Sequence, residues 1–246
     1  MKKRYSGEYC RLKAQINRQL DEYGFAEGGS SGDLRAKIEA LFAMMANHDE
    51  CTAIHMMRVA LKAVRAKEAL DKTSDIYKIN RLYEDSTLLF LAGLLHDIGK
   101  YKWPKKYFDS DYILTSADIK ELQFLKKDHL EETCRMLNRA GLPEIAWIVR
   151  YSHDYPKNSG GYRVNPDNLG IQFGIFSITA RTGFRTMGHL LMIADFQDAC
   201  TNRTDWNKNG NSQHSVETCM IGIFPGWSTI IIYLFAEKVF TEKAGV

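Results

Sequence analysis

The chain of 246 residues has five cysteines and no CxxC pair. Cys10, Cys51, Cys134, Cys200 and Cys219 are an odd set, which excludes a fully paired disulfide framework and points to reduced thiols in a cytoplasmic protein. The basic start Lys2-Lys3-Arg4 leads into Tyr5-Ser6-Gly7-Glu8 instead of an apolar run, so no secretory signal peptide is expected. A long membrane-spanning run is also missing. The best candidate, residues 220–240, is interrupted by Pro225-Gly226 and carries Glu237 and Lys238, well short of the ~20 unbroken apolar residues a span needs. A buried C-terminal helix is its expected place. There is no excess of one charge: a net charge of +3 is too small for nucleic-acid binding by bulk electrostatics, so an anionic ligand needs a local cluster. Strand-like alternation and internal repeats are lacking too. What is present is an ordinary globular composition, 45% hydrophobic and 26% charged, with apolar residues at helical spacing, and the expected class is all-α.

Residues 1–46 are expected to form an N-terminal helical extension and residues 47–246 the main domain. Within the extension, residues 1–26 read as a peripheral helix. Gly28-Gly29-Ser30-Ser31-Gly32-Asp33 reads as a linker, with Asp33 capping a helix through Leu34, Ile38, Leu41, Phe42 and Met45. A helix over 51–70 and a polar connection over 71–84 follow. The next helix, from Leu88, has Gly99 as its stop. Trp103-Pro104-Lys105-Lys106 marks a loop. Thr115 or Ser116 caps a helix through Ile119, Leu122 and Leu125, and a separate helix holds Leu130, Met136 and Leu137, ending at Gly141-Leu142-Pro143. A further helix covers 144–152. Residues 155–188 read as a long loop, a length that is usually functional in a compact domain and leaves a lid open. Helix returns over 188–200, residues 201–213 are a polar loop, and the end is apolar helix.

Leu88-Leu89-Phe90-Leu91-Ala92-Gly93-Leu94-Leu95 runs into His96-Asp97-Ile98-Gly99-Lys100. An imidazole and a carboxylate side by side at the end of a core helix are costly to bury without a partner. A divalent metal takes both in the forms they hold at neutral pH. His55, His129 and His153 sit in similar contexts, as does Asp195 after Leu190-Leu191-Met192-Ile193-Ala194. A lone histidine on an apolar face is more often satisfied by a carbonyl, but four with two aspartates make a ligand set. Imidazole and carboxylate suit Fe, Mn, Zn or Ni, and without cysteine they argue against a structural zinc site. His48, His189 and His214 are expected to be structural or solvent-exposed. Cys200 and the pairs Met44-Met45 and Met56-Met57 are expected in the core.

Asp49-Glu50-Cys51-Thr52-Ala53-Ile54-His55-Met56-Met57-Arg58-Val59, followed by His96-Asp97-Ile98-Gly99-Lys100, resembles the opening of the HD superfamily of metal-dependent phosphohydrolases. The rest resembles its HD-GYP branch of cyclic dinucleotide phosphodiesterases. Leu114-Thr115 and His129 match, Gly141-Leu142-Pro143-Glu144-Ile145-Ala146 leads to His153, and Ser159-Gly160-Gly161-Tyr162 stands at the Gly-Tyr-Pro signature. Ile193-Ala194-Asp195-Phe196-Gln197-Asp198-Ala199 resembles the closing Ala-Asp-x-x-Asp-Ala element, so the likeness spans residues 48–220.

The resemblance implies an all-α HD-domain helical bundle with two divalent ions, Fe or Mn foremost, with Ni, Zn and Mg open. Its ligands would be His55, His96, Asp97, His129, His153 and Asp195. Asp97 would bridge, with His55, His96 and Asp195 completing one ion and His129 and His153 the other. The implied reaction is hydrolysis of a c-di-GMP-like cyclic dinucleotide, or a related nucleotide phosphoester, by a metal-bound hydroxide. Asp97 and Lys100 would be catalytic, with Lys100 on the scissile phosphate; the alternative for Lys100 is a solvated lysine after a helix stop. The implied partner is a small nucleotide, with no DNA or RNA duplex and no membrane, and a homodimer is the assembly left open.

Four departures bear on that reading. Asp154 stands where a second adjacent histidine is common, as an oxygen ligand or as an acceptor that orients one. Cys51 stands where three-metal members carry Glu, so a third ion is not expected. Arg163 replaces the signature proline after Tyr162, and Arg203 is offset by one position from the family's arginine. The stretch from Tyr162 to Asp195 is longer than the family's and holds Arg181 and Arg185. With Tyr162 and Arg163 these are the expected substrate-binding residues, an anion clamp, or else a solvated basic loop. Trp206 either stacks on a base or packs its loop down. Two rival functions share the ligands. Diiron oxygenases such as inositol oxygenase have the same order of His, His-Asp, His, His, Asp, and a catalytically weak nucleotide-binding module fits the changes at Asp154 and Arg163.

Overall fold

The structure, a computed structural model, describes residues 6–25, 30–73, 85–109, 111–153, 178–202, 213–224 and 231–232. Eight α-helices and no strand occur among the described residues, in keeping with the all-α expectation: α1 (Gly7–Glu22), α2 (Ser30–His48), α3 (Glu50–Thr73), α4 (Ser86–Leu95), α5 (Ser116–Arg139), α6 (Pro143–Val149), α7 (Ile178–Asn202) and α8 (Gln213–Ile223). None of them is long and apolar enough to cross a membrane.

Helix α4 is the hub. Every residue from Leu89 to Leu95 is buried, as befits a helix that is apolar all round. It packs against α3, α6 and α7, and α3 also receives α7, α1 and α2. The α3–α4 crossing is close because both sides are small. A Cβ on Gly93 would lie 2.5 Å from the Cα of Ala60. Ile16 and Leu20 of α1 and Ile38 of α2 are fully buried, so these two helices share the core with α3 and α4.

Several boundaries differ from the sequence reading. Helix α2 begins at Ser30, so Asp33 lies inside its first turn instead of capping it; a carboxylate there is favoured by the helix dipole. The helices expected over 119–125 and 130–137 are one continuous α5. Thr115 and Asp118 form a capping box at its start, and Lys126-Lys127-Asp128 between the apolar runs is a helical surface, not a break. Helix α7 starts at Ile178, ten residues before the expected 188. Its first turns carry β-branched residues and Gly183, which mask helical propensity. The rest of the expected long loop, residues 155–177, lies outside the described residues.

Gly99 is also not the stop of α4. The helix ends at Leu95 with His96 as its C-cap, and the chain tightens into a 3-10 turn over Ile98–Lys102. Gly99 is buried within that turn and has no positive φ; among the described residues only Gly24 and Gly141 do. Its amide donates to Thr133 Oγ1 at 2.9 Å. A Cβ at this position would lie 2.2 Å from the carbonyl oxygen of His129. The glycine lets the turn lie directly on α5.

Candidate metal centre

Five elements deliver the expected ligands to one place. His55 comes from α3, His96 and Asp97 from the end of α4, His129 from α5, His153 from the turn after α6, and Asp195 from α7. All but the half-buried His153 are buried. One ligand atom each from His55, His96 and Asp97 falls within a mutual 4.8 Å.

The two carboxylates divide the site into halves. Asp195 Oδ1 lies 3.0 Å from His55 Nε2 and 3.6 Å from His96 Nε2. Asp97 Oδ2 lies 3.8 and 3.5 Å from the same nitrogens. The other oxygens face the other histidines: Asp97 Oδ1 is 3.3 Å from His129 Nε2, and Asp195 Oδ2 is 3.9 Å from His153 Nε2. Ring centroids are 5.3 Å apart in the His55–His96 pair and 5.2 Å apart in the His129–His153 pair. Asp195, which the resemblance gave to one ion, therefore faces both halves, as Asp97 does.

Each imidazole is held from behind through Nδ1. His55 contacts Asp198 Oδ2 at 2.8 Å, His96 the carbonyl of Gly93 at 2.8 Å, and His129 the carbonyl of Lys126 at 2.8 Å. His153 contacts Ser152 Oγ at 2.9 Å. A carboxylate or carbonyl can only accept, so in the first three rings Nδ1 carries the proton and Nε2 turns a lone pair inward. That arrangement fits a metal. His55 Nε2 and His96 Nε2 are buried and make no hydrogen bond, although carboxylate oxygens stand beside them.

The electrostatics agree at the carboxylates and at His129 and His153, whereas at His55 burial is outweighed by Asp195 and Asp198, which raise the imidazole. Burial pushes the Asp97 carboxyl up, but the Lys100 ammonium and then the imidazoles of His96 and His129 outweigh it and hold the group well below the usual range. For Asp195 burial is likewise outweighed, here by the imidazoles of His55 and His96 beside it. Burial dominates at the other half, lowering His129 and pushing His153 down to about 3. Ionised carboxylates and neutral imidazoles are the forms a cation needs.

Lys100 extends from the 3-10 turn and pairs with Asp97 Oδ2. Its side chain is only 11% exposed, and the ammonium lies 5.7 Å from the centroid of Trp103. Arg181 and Arg185 are on α7; Arg181 lies 6.0 Å from the Trp147 ring, and Arg185 is exposed. Ten residues of helix put Arg185 about 15 Å along the axis from Asp195. Asp154, Tyr162, Arg163, Arg203 and Trp206 lie outside the described residues, as does the side chain of His214. His48 is bonded to the carbonyl of Trp103 at 3.0 Å, and His189 lies 6.3 Å from the ring of Tyr151.

Asp198 belongs to the closing element read from the sequence, but that reading gives it no role. It stands one helical turn after Asp195, so the two carboxylates bracket the His55 ring, one on each nitrogen. The spacing Asp195-x-x-Asp198 was the available signal, since it places both on one face of α7.

No curated protein and no solved structure matches the chain. The family model described as the HD domain matches residues 52–202, a span that holds all six inward-facing side chains. The chain belongs to the HD-domain family, the superfamily of metal-dependent phosphohydrolases.

Proposed function

We propose that the protein is a phosphodiesterase of the HD-GYP kind, hydrolysing a cyclic dinucleotide or a related nucleotide phosphoester. Its ions, iron or manganese by the nitrogen and oxygen donors, would be held by His55, His96, Asp97, His129, His153 and Asp195. The observation that carries the reading is Lys100. Its ammonium is delivered to the carboxylate that faces both histidine pairs. Hydrolysis of a phosphodiester develops negative charge on the phosphoryl and leaving oxygens, and a preorganised cation there favours the transition state.

When bound, the metal pair supplies Lewis-acid charge and acidifies a water. The chain does the rest. Asp198 and the carbonyls of Gly93 and Lys126 keep the three imidazoles turned inward. Asp97 and Asp195 stay ionised, and Lys100 neutralises the phosphoryl or leaving oxygen. Tyr162, Arg163, Arg181 and Arg185 are the residues proposed to hold the rest of the nucleotide, with Asp154 as an added oxygen donor.

The test is elemental analysis of purified protein beside hydrolysis assays with several cyclic dinucleotides, with His96→Ala and Asp97→Ala as metal-loss controls. Turnover that disappears with the metal supports the reading. Full metal and activity in both variants would refute the site. Oxygen uptake on reduction would favour the oxygenase, and binding without turnover would favour a nucleotide-binding module.

A further inference from the structure

We propose, resting on the hydrolase reading above, that Trp103 is the positioning residue for Lys100: its indole face holds the ammonium at the centre when a cation engages Asp97.

Asp97, Lys100 and Trp103 are spaced three apart along one 3-10 turn, with Asp97 and Trp103 as its two caps. Side chains at that spacing eclipse in a 3-10 helix, so the lysine lies between a carboxylate and an indole. Among the described residues these are the two attractive partners of its ammonium, which is bonded to Asp97 Oδ2 and lies over the Trp103 ring, 5.7 Å from the centroid. Metal binding would treat the two differently. Oδ2 stands 3.5 Å from His96 Nε2 and 3.8 Å from His55 Nε2, so a cation held there draws on the same oxygen as the lysine and repels its charge. The indole meets no such competition. Without a second hold, the flexible stem would carry a strongly hydrated ammonium out to water. An aromatic face at this range attracts it instead.

Trp103 is itself fixed. Tyr101 and Lys102 before it and Lys105 after it are exposed, whereas Trp103 is turned inward and only 8% exposed. Its amide donates to the Lys100 carbonyl at 2.9 Å, and its carbonyl accepts from His48 Nε2 of α2 at 3.0 Å. Its ring lies 5.9 Å from that of Phe108 and stands nearly perpendicular to His129 of α5 at 5.8 Å. Phe108 in turn meets the His48 ring at 5.1 Å. Backbone and ring are thus secured from α2, α5 and the following turn.

The test is proton–carbon NMR of the full chain with 13C-labelled lysine, metal-stripped and then with two equivalents of Zn(II). The Lys100 signal is identified by its absence in Lys100→Met. Protons over an indole face resonate upfield, so the Lys100 methylenes nearest the ammonium are expected upfield of their usual position and should stay there with Zn(II) bound. Trp103→Leu should abolish the shift, and Trp103→Phe, which keeps an aromatic face, should retain most of it. An unshifted Lys100 signal, or a shift lost on Zn(II) binding, would overturn the inference. That comparison needs only wild type and Lys100→Met, so it decides the matter even if Trp103→Leu does not fold. In hydrolysis of a cyclic dinucleotide, Trp103→Leu should lower the single-turnover rate about 2- to 30-fold, the worth of a cation–π contact, with metal affinity unchanged and no further loss in the Lys100→Met background. Additive losses in the double variant, or a fall in metal affinity, would make Trp103 a support for the fold or for His129 and overturn the inference. A wild-type chain that keeps the shift with Zn(II) bound but hydrolyses nothing would refute the hydrolase reading and leave the lysine held by Trp103. A chain that takes up no Zn(II) would overturn the centre and the inference with it.

Discussion

Gly99 and Thr133 meet backbone to side chain, the amide of one donating to the hydroxyl of the other at 2.9 Å. The contact joins the turn that carries Asp97 and Lys100 to the helix that carries His129. It leaves no room for a side chain, because a Cβ on Gly99 would also lie 2.7 Å from the amide nitrogen of Thr133. The distance between the two histidine pairs is therefore set by a glycine in neither of them.

Gly99→Ala should both destabilise the fold and disturb the centre. Two of the three atoms its methyl would strike, the His129 carbonyl oxygen and the Thr133 amide nitrogen, are backbone, so relief requires movement of α5 itself, and overpacking of this kind costs about 1–3 kcal/mol or more. His129 moves with α5, so Mn(II) affinity should fall in the same variant. Urea unfolding of the metal-stripped protein and Mn(II) titration measure the two effects. Loss of stability with unaltered metal binding would show that the turn yields instead of the helix.

The centre was more legible in the sequence than the helices around it. His96-Asp97 could be read because an ionisable pair at the end of an apolar run demands a partner, and His55, His129, His153 and Asp195 repeat that context. What could not be read depends on contacts between distant segments. The bond from His55 to Asp198 joins residues 143 apart, which local spacing does not register. Gly99 reads as a helix stop because glycine after a helix commonly is one, but here its role is set by Thr133, 34 residues away. Helix α5 is one element although Lys126-Lys127-Asp128 separates its apolar runs, because charge on a helical face breaks no backbone hydrogen bond.

The N-terminal helix should matter for stability and not for metal. Ile16 and Leu20 are fully buried in the shared core. Truncating either to alanine removes apolar surface and leaves a cavity, at about 2–5 kcal/mol each. Neither stands on an element that carries one of the six proposed ligands, so Leu20→Ala should lower the urea midpoint while binding Mn(II) with wild-type stoichiometry and affinity. A variant that lost metal selectively would mean that α1 governs the centre beyond holding up the core.

Asp118 supplies a pH-dependent contribution away from the metal. Its carboxylate pairs with Lys106 Nζ at 2.5 Å, and accepts from Thr115 N at 2.9 Å and Tyr112 Oη at 3.0 Å. The Lys106 contact first, and then the Thr115 bonds, hold its carboxyl below the usual range. A carboxyl lowered in the folded state contributes stability above its unfolded pKa of about 3.9, lost as pH falls through the lower folded value. Wild type should therefore exceed Asp118→Asn in urea midpoint by a steady margin from pH 7 to pH 5, and the margin should shrink below about pH 4. A margin that does not change with pH would assign the effect to packing instead of charge.

Lys100→Met separates chemistry from metal binding. The ammonium is bonded to Asp97 Oδ2, and its positive charge opposes a cation arriving at the same carboxylate. Removing it should leave metal affinity undiminished or raise it. The proposed hydrolysis should nevertheless fall by about 10²–10³ in kcat, the usual loss when one preorganised charge donor is removed from a transition state. Asp97→Ala should differ in kind, because it removes the carboxylate that faces both histidine pairs and should take metal and turnover together. Elemental analysis and single-turnover hydrolysis of a cyclic dinucleotide distinguish the two variants. If Lys100→Met lost its metal along with activity, the lysine would be a support for Asp97. If it kept both, the lysine would have no part in the reaction.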